Sequence, residues 1–115
     1  MLMPLKVLFI DDEVDICEIY RDYFSSPEIE VIVFSDPKKG LDFYRAQAVD
    51  VVFLDYRMPG TTGDLLASAM GGQIPKYLIT GEINLETTYP FVSILSKPVE
   101  LEQVSEILKQ LLLSK

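Results

Sequence analysis

Two apolar runs that end in carboxylates constrain this chain more than any other feature. Val51-Val52-Phe53-Leu54 leads into Asp55 and, within three residues, a turn at Met58-Pro59-Gly60. Lys6-Val7-Leu8-Phe9-Ile10 leads into Asp11-Asp12-Glu13. A continuous apolar run bounded by turn signals reads as a strand buried on both faces, the kind found in parallel sheets. In open α/β sheets, ligands bind at the carboxyl ends of the strands. Both runs therefore aim acidic side chains at the place where such a fold builds its site.

The remaining segments supply the rest of an alternating α/β pattern. Ile16, Ile19, Tyr20, Tyr23 and Phe24 fall at helical spacing and predict a helix to about Ser25, with Cys17 beside the stripe. Glu30–Phe34 is rich in β-branched residues and predicts a second strand. Asp36-Pro37 reads as an N-cap followed by proline at the first helical position. The helix it starts uses Leu41, Phe43, Tyr44 and Ala48 and runs to about Gln47. After the Met58–Gly63 loop, Asp64–Met70 predicts a short helix, Lys76–Thr80 a fourth strand and Phe91–Leu95 a fifth. Residues 82–90, with Thr87, Thr88 and Pro90, disfavour helix. Leu101, Val104, Leu108 and Leu111 mark a last helix from about Glu100 to Leu113. The triple leucine at its end is wider than one buried stripe, which leaves core packing with one exposed leucine or a docking surface.

The expected fold is α/β: a flavodoxin-like, doubly wound, five-stranded parallel sheet with strand order 2-1-3-4-5, forming one domain over residues 1–115. In that order the first and third strands are neighbours, about 4.8 Å apart, so Asp11, Asp12 and Asp55 converge. Such a cluster is unfavourable alone, because like charges raise one another's pKa. A hard cation resolves the conflict, and Mg²⁺ takes one or two carboxylates while sharing its other positions with phosphate. The neighbouring strand exits add the Thr80 hydroxyl, room at Gly81 and the charge of Lys97. A carboxylate nucleophile, a metal, a cation and a hydroxyl suit phosphoryl transfer onto Asp55.

The ordered set Asp11-Asp12, Asp55, Met58-Pro59, Gly63, Thr80-Gly81 and Lys97-Pro98 resembles the receiver domain of two-component response regulators over essentially the whole chain. The resemblance implies that Asp55 is the phosphoacceptor, with a sensor histidine kinase or histidine phosphotransfer protein as donor. It implies Mg²⁺ held by Asp12 directly, by Asp11 largely through water, by Asp55 and by the backbone carbonyl of Arg57. Thr80 and Lys97 would hold the phosphoryl group, Lys97-Pro98 would be cis, and an output domain or effector protein would receive the signal. Two departures stand out. Ile94 occupies the family's switch-aromatic position, and the short spacing before Lys97 implies a shortened or irregular fourth helix. Arg57 and Glu82 flank the site at positions linked in the family to aspartyl-phosphate lifetime.

Composition narrows the function further. The net charge of −8 argues against direct nucleic-acid binding. The lone Cys17 and the absence of histidine exclude an intrachain disulfide and imidazole chemistry. The start Met1–Lys6 lacks a signal-peptide pattern, and no run approaches the roughly 18 apolar residues of a membrane span. A cytoplasmic signalling domain is expected, not an enzyme beyond its own phosphotransfer and dephosphorylation. Two alternatives remain at this stage. One is a receiver-like interaction module that works without phosphate. The other is an Asp-nucleophile phosphatase, disfavoured because Arg57 stands where such enzymes carry a second acid.

Overall fold

The computed structural model describes residues 3–115. Its elements are β1 (Leu5–Ile10), α1 (Val14–Phe24), β2 (Ile29–Phe34), α2 (Pro37–Ala46), β3 (Val51–Asp55), β4 (Arg57–Met58), β5 (Thr61–Thr62), α3 (Gly63–Met70), β6 (Lys76–Thr80), β7 (Ser93–Ser96) and α4 (Leu101–Leu113). The large sheet has the order β2-β1-β3-β6-β7, and each neighbouring pair is parallel. Counting the strands of that sheet alone, this is the expected 2-1-3-4-5.

The apolar runs dictate the burial. Every residue of β3 is buried, and so is every residue of β1 except Lys6. Both faces of the sheet are covered. On one face Phe9, Phe53 and Tyr77 stack across β1, β3 and β6 with ring centroids 4.8 and 4.9 Å apart. Tyr20 and Phe24 of α1 and Val104 and Leu108 of α4 close over them. On the other face Leu8, Ile10, Val52, Leu54 and Leu78 meet Leu66, Ala67 and Met70 of α3. Asp36 caps α2 as expected, its Oδ1 accepting from the Lys38 N–H at 2.9 Å.

Several details differ from the sequence expectation. The buried stripe of α1 is Cys17, Tyr20 and Phe24, whereas Ile19 and Tyr23 are exposed, because the helix turns its i, i+3, i+7 row toward Phe9. Ala48 lies beyond α2 and is exposed; Gly40 is that helix's buried position. A Cβ on Gly40 would come within 2.5 Å of Ile10 Cδ1, so the residue lets α2 approach the sheet. The Met58–Gly63 loop contains a two-residue antiparallel ladder, β4 with β5. The last strand begins at Ser93 rather than Phe91. Phe91 instead packs with Tyr89, ring centroids 4.8 Å apart, against the α3-side core. Residues 82–90 form no helix, as their composition implies, so the expected shortened or irregular fourth helix is absent between β6 and β7; Leu85, Tyr89 and Phe91 of this irregular segment cover that part of the sheet. At the end of α4, Leu111 and Leu112 pack against the core and Leu113 is exposed, which is core packing with one leucine outside.

Candidate functional site

Register brings the candidate residues together. Ile10 lies opposite Leu54 and Asp55 opposite Ile79, so Asp11, Asp55 and Thr80 emerge side by side from three adjacent strands. Thr80 lies opposite Ser96, which places Lys97 next to it at the β7 exit. The backbone of this rim is tied strand to strand. Tyr56 N–H donates to Ile79 O at 2.8 Å and Lys97 N–H to Thr80 O at 2.9 Å. Lys97-Pro98 is cis.

The acidic centre is tight. Asp11, Asp12 and Asp55 each offer a carboxylate oxygen, and the three atoms lie within 4.8 Å of one another. Asp11 and Asp55 are buried, and Asp12 is half-buried. Asp11 Oδ1 accepts from the Glu13 N–H at 2.9 Å, while its Oδ2 is buried with no hydrogen-bond partner. A buried carboxylate oxygen left unpaired is costly, so this atom is where a cation would relieve the site. An all-oxygen donor set suits a hard divalent ion, Mg²⁺ in particular. The residues present fit such an ion.

Electrostatics agree with that reading. Burial pushes Asp55 up to about 6; the Lys97 hydrogen bond opposes the shift, and Asp11 and Asp12 add to it. Burial also raises Asp11, against the pull of the Glu13 N–H and of Lys97. For Lys97 burial acts downward, but the Asp55 hydrogen bond and charge outweigh it and hold the ammonium above its ordinary value. Its Nζ lies 2.8 Å from Asp55 Oδ1. Thr80 is buried at the rim, and its Oγ1 accepts from the Glu82 N–H at 3.0 Å, which leaves its proton free to donate.

Every site residue expected from the sequence is thus at one end of the sheet, and three supporting contacts come only with the fold. Gly63 packs against the nucleophile's backbone: a Cβ there would stand 2.6 Å from Asp55 O and 2.5 Å from Leu78 Cδ1. The Cys17 thiol donates to Asp11 O at 3.1 Å, and burial raises it to about 11, so it is a structural thiol. The Arg57 side chain pairs with Glu82 across the β3 and β6 exits. Opposite charges at equivalent offsets after Asp55 and Thr80 are the one feature of the sequence that could have pointed to that last contact. Beside the centre, a groove of about 550 Å³ opens between α1 and the β7–α4 turn, lined by Asp11, Ile16, Tyr20, Lys97 and Leu101 among others.

Comparison with known proteins gives a consistent result. The family described as "Response regulator receiver domain" matches residues 7–109. The cyclic di-GMP phosphodiesterase response regulator RpfG of Xanthomonas campestris is 36% identical over 63 residues, covering 53% of this chain and 17% of that protein. The regulatory protein VanR of Enterococcus faecium is 24% identical over 103 residues, covering 90% of this chain and 39% of its own length. The chain therefore spans less than half of either curated relative. The signal receiver domain of an HD domain-containing protein from Pseudomonas fluorescens Pf-5 superposes with a TM-score of 0.85 at 20% identity, covering 96% of this chain and 95% of that one. At that identity the likeness speaks for the fold.

Proposed function

The chain belongs to the response regulator receiver domain family, and from that premise we propose that Asp55 is its phosphoacceptor in a two-component or phosphorelay system. The observation that carries this reading is the convergence of Asp11, Asp12 and Asp55 around the unpaired Asp11 Oδ2, with the Lys97 ammonium on Asp55. Asp11, Asp12, Asp55 and the Arg57 carbonyl would hold Mg²⁺, which when bound neutralises charge on the phosphoryl oxygens.

The chain's own residues divide the remaining work. An Asp55 carboxylate oxygen attacks phosphorus as the P–N bond of a donor phosphohistidine breaks, and the leaving imidazole takes up a proton from solvent. Lys97 keeps Asp55 anionic before transfer and faces a phosphoryl oxygen after it. The free proton of Thr80 donates to a second oxygen. The groove beside Asp11 and Lys97 offers the donor a way in. A sensor histidine kinase or histidine phosphotransfer protein supplies the group, and an output domain or effector reads it. We place this work in the cytoplasm; among the described residues, no helix is long and apolar enough to cross a membrane. The domain turns over no substrate but its own phosphoryl group.

Acetyl phosphate with Mg²⁺ should add one hydroxylamine-labile phosphoryl group, located on Asp55 by peptide mass mapping and lost in Asp55→Asn. Continuous release of phosphate from many small esters would instead indicate a phosphatase. Absence of label with Mg²⁺ binding intact would indicate a phosphate-independent interaction module.

A further inference from the structure

The segment that replaces the missing helix is fixed at its two ends by different forces. At the far end, Tyr89 lies over the Lys76 ammonium with Nζ 5.5 Å from the ring centroid, and the Val92 N–H donates to Lys76 O at 2.9 Å. Tyr89 also packs against Phe91, the two rings tilted to one another, above the core. At the near end, the Arg57 guanidinium donates to Glu82 Oε1. Among the described residues, that ion pair is the one side-chain hydrogen bond from segment 82–88 to an element other than β6. Between the two ends, Ile83 is 88% exposed and Asn84 has a left-handed backbone, φ 59°.

The near end is the weak one. The Arg57 side chain is 72% exposed and Glu82 33%, and exposed ion pairs contribute little. Its two members also flank the phosphoryl site, each two residues beyond a residue of that site, Asp55 or Thr80. Phosphorylation replaces the single negative charge of the Asp55 carboxylate with close to two on the phosphoryl group, and it brings three strong acceptor oxygens. The group repels the Glu82 carboxylate, and it offers the guanidinium a better partner for its planar fork. Ile94 on β7 is an aliphatic side chain, 42% exposed, with no ring to turn.

We infer that the Arg57–Glu82 ion pair is a latch that phosphorylation of Asp55 opens by partner exchange. The guanidinium turns from Glu82 to the phosphoryl oxygens, and residues 82–84 come away from β4 while Leu85 and Tyr89 stay packed on the core. The exposed Ile83 and its neighbours then form the surface that differs between the two states. This rests on Asp55 being the phosphoacceptor.

Hydrogen exchange read by mass spectrometry, with whole-protein mass taken in parallel, tests the latch. With Mg²⁺ and acetyl phosphate, peptides over 82–84 should exchange about two- to fivefold faster in the phosphorylated protein, a range set by the small worth of an exposed pair. Peptides over 89–92 should be unchanged. Arg57→Ala and Glu82→Gln should each show the faster exchange before phosphorylation, and the reversed pair, Arg57→Glu with Glu82→Arg, should restore protection. Full phosphorylation with unchanged exchange at 82–84 overturns the latch and leaves the phosphoacceptor reading standing. Unphosphorylated Arg57→Ala with wild-type protection overturns it as well. No gain of mass overturns the assignment of Asp55, and the latch falls with it.

Discussion

The Lys97 ammonium sits 2.8 Å from Asp55 Oδ1, at the end of an edge strand whose residues other than Leu95 are exposed, while Asp55 ends a strand buried throughout. The cation reaches in from the rim to a carboxylate that cannot reach out. Lys97→Met keeps most of the stem but leaves Asp55 among Asp11 and Asp12 with no counter-charge. Labelling of Asp55 by acetyl phosphate should then fall by about 10²-fold, the usual cost of removing one donor to a developing oxyanion. Lys97→Arg should recover only part of this, because a planar fork does not replace a compact ammonium. Time courses of whole-protein mass check both.

Without metal, Asp55 works against the fold. Its value in the folded chain, about 6, lies above that of an ordinary aspartate, chiefly through burial. Folding therefore favours its protonated form, so its contribution to stability is full at acid pH and is lost as pH rises through 6. Asp55→Asn removes that loss. In EDTA at pH 7.5 the variant should be more stable than wild type by about 1–2 kcal/mol, and the difference should shrink toward pH 4.5. Thermal unfolding of both proteins across that range is the measurement; equal stability at pH 7.5 would contradict it.

The same proton competes with the cation. Asp11 and Asp55 are both held above the ordinary carboxylate range, mainly by burial, and both must be ionised to bind Mg²⁺. Affinity should fall as pH drops through about 6, the value to which burial lifts Asp55, and protonation of Asp11, raised as well, should steepen the loss. Asp11→Asn should weaken binding at all pH values and flatten the dependence. Calorimetric titration at several pH values reads this directly.

How much of this could be seen in the residues depends on the range of the force involved. The β1 and β3 runs and the carboxylates after them were legible, because burial on both faces leaves a continuous apolar signature and a strand exit is local. The Asp36 cap was legible for the same reason. The start of β7 was not: Phe91 and Val92 satisfy strand propensity, yet Phe91 is taken by Tyr89 and the core under the irregular segment. The sequence stripe of α1 includes the buried Tyr20 and Phe24 but is too wide, since Ile19 and Tyr23, which are exposed, match the helical period as well as Cys17 does. Which row faces inward is decided by Phe9, on another element.

Gly63 shows how a loop residue supports the nucleophile. The space its missing Cβ would need is already held by Asp55 O, at 2.6 Å, and by Leu78 Cδ1, at 2.5 Å. The Leu78 methyl can give way, but the β3 carbonyl is part of the sheet's backbone. Gly63→Ala should destabilise the domain by about 1–3 kcal/mol and also displace Asp55 relative to Lys97. Labelling of Asp55 should drop further than the folded fraction does. Loss of stability with an unchanged labelling rate per folded molecule would show that the shift is absorbed by Leu78 alone.

Lys76 is the least expected residue of the core. It is the first residue of β6 and carries a charge, yet it is 1% exposed. Its Nζ donates to Gly71 O at 2.9 Å and Ile74 O at 3.1 Å, and it lies 5.4 Å from the Tyr44 ring and 5.5 Å from that of Tyr89. Carbonyls and π-faces replace its water, and the same cation fastens α2, the α3–β6 turn and the irregular segment to one point. Lys76→Ala strands two carbonyls and opens a cavity, and should cost about 3–5 kcal/mol. Lys76→Met keeps the volume of the stem and loses the hydrogen bonds and the cation–π contacts, for about 2–3 kcal/mol. Tyr89→Leu removes one ring and leaves the carbonyls satisfied, for about 1–2 kcal/mol, and should expose residues 85–91 to protease before the rest of the chain. Urea titrations give the order, and a Lys76→Met variant as stable as wild type would show that packing of the stem alone holds this corner together.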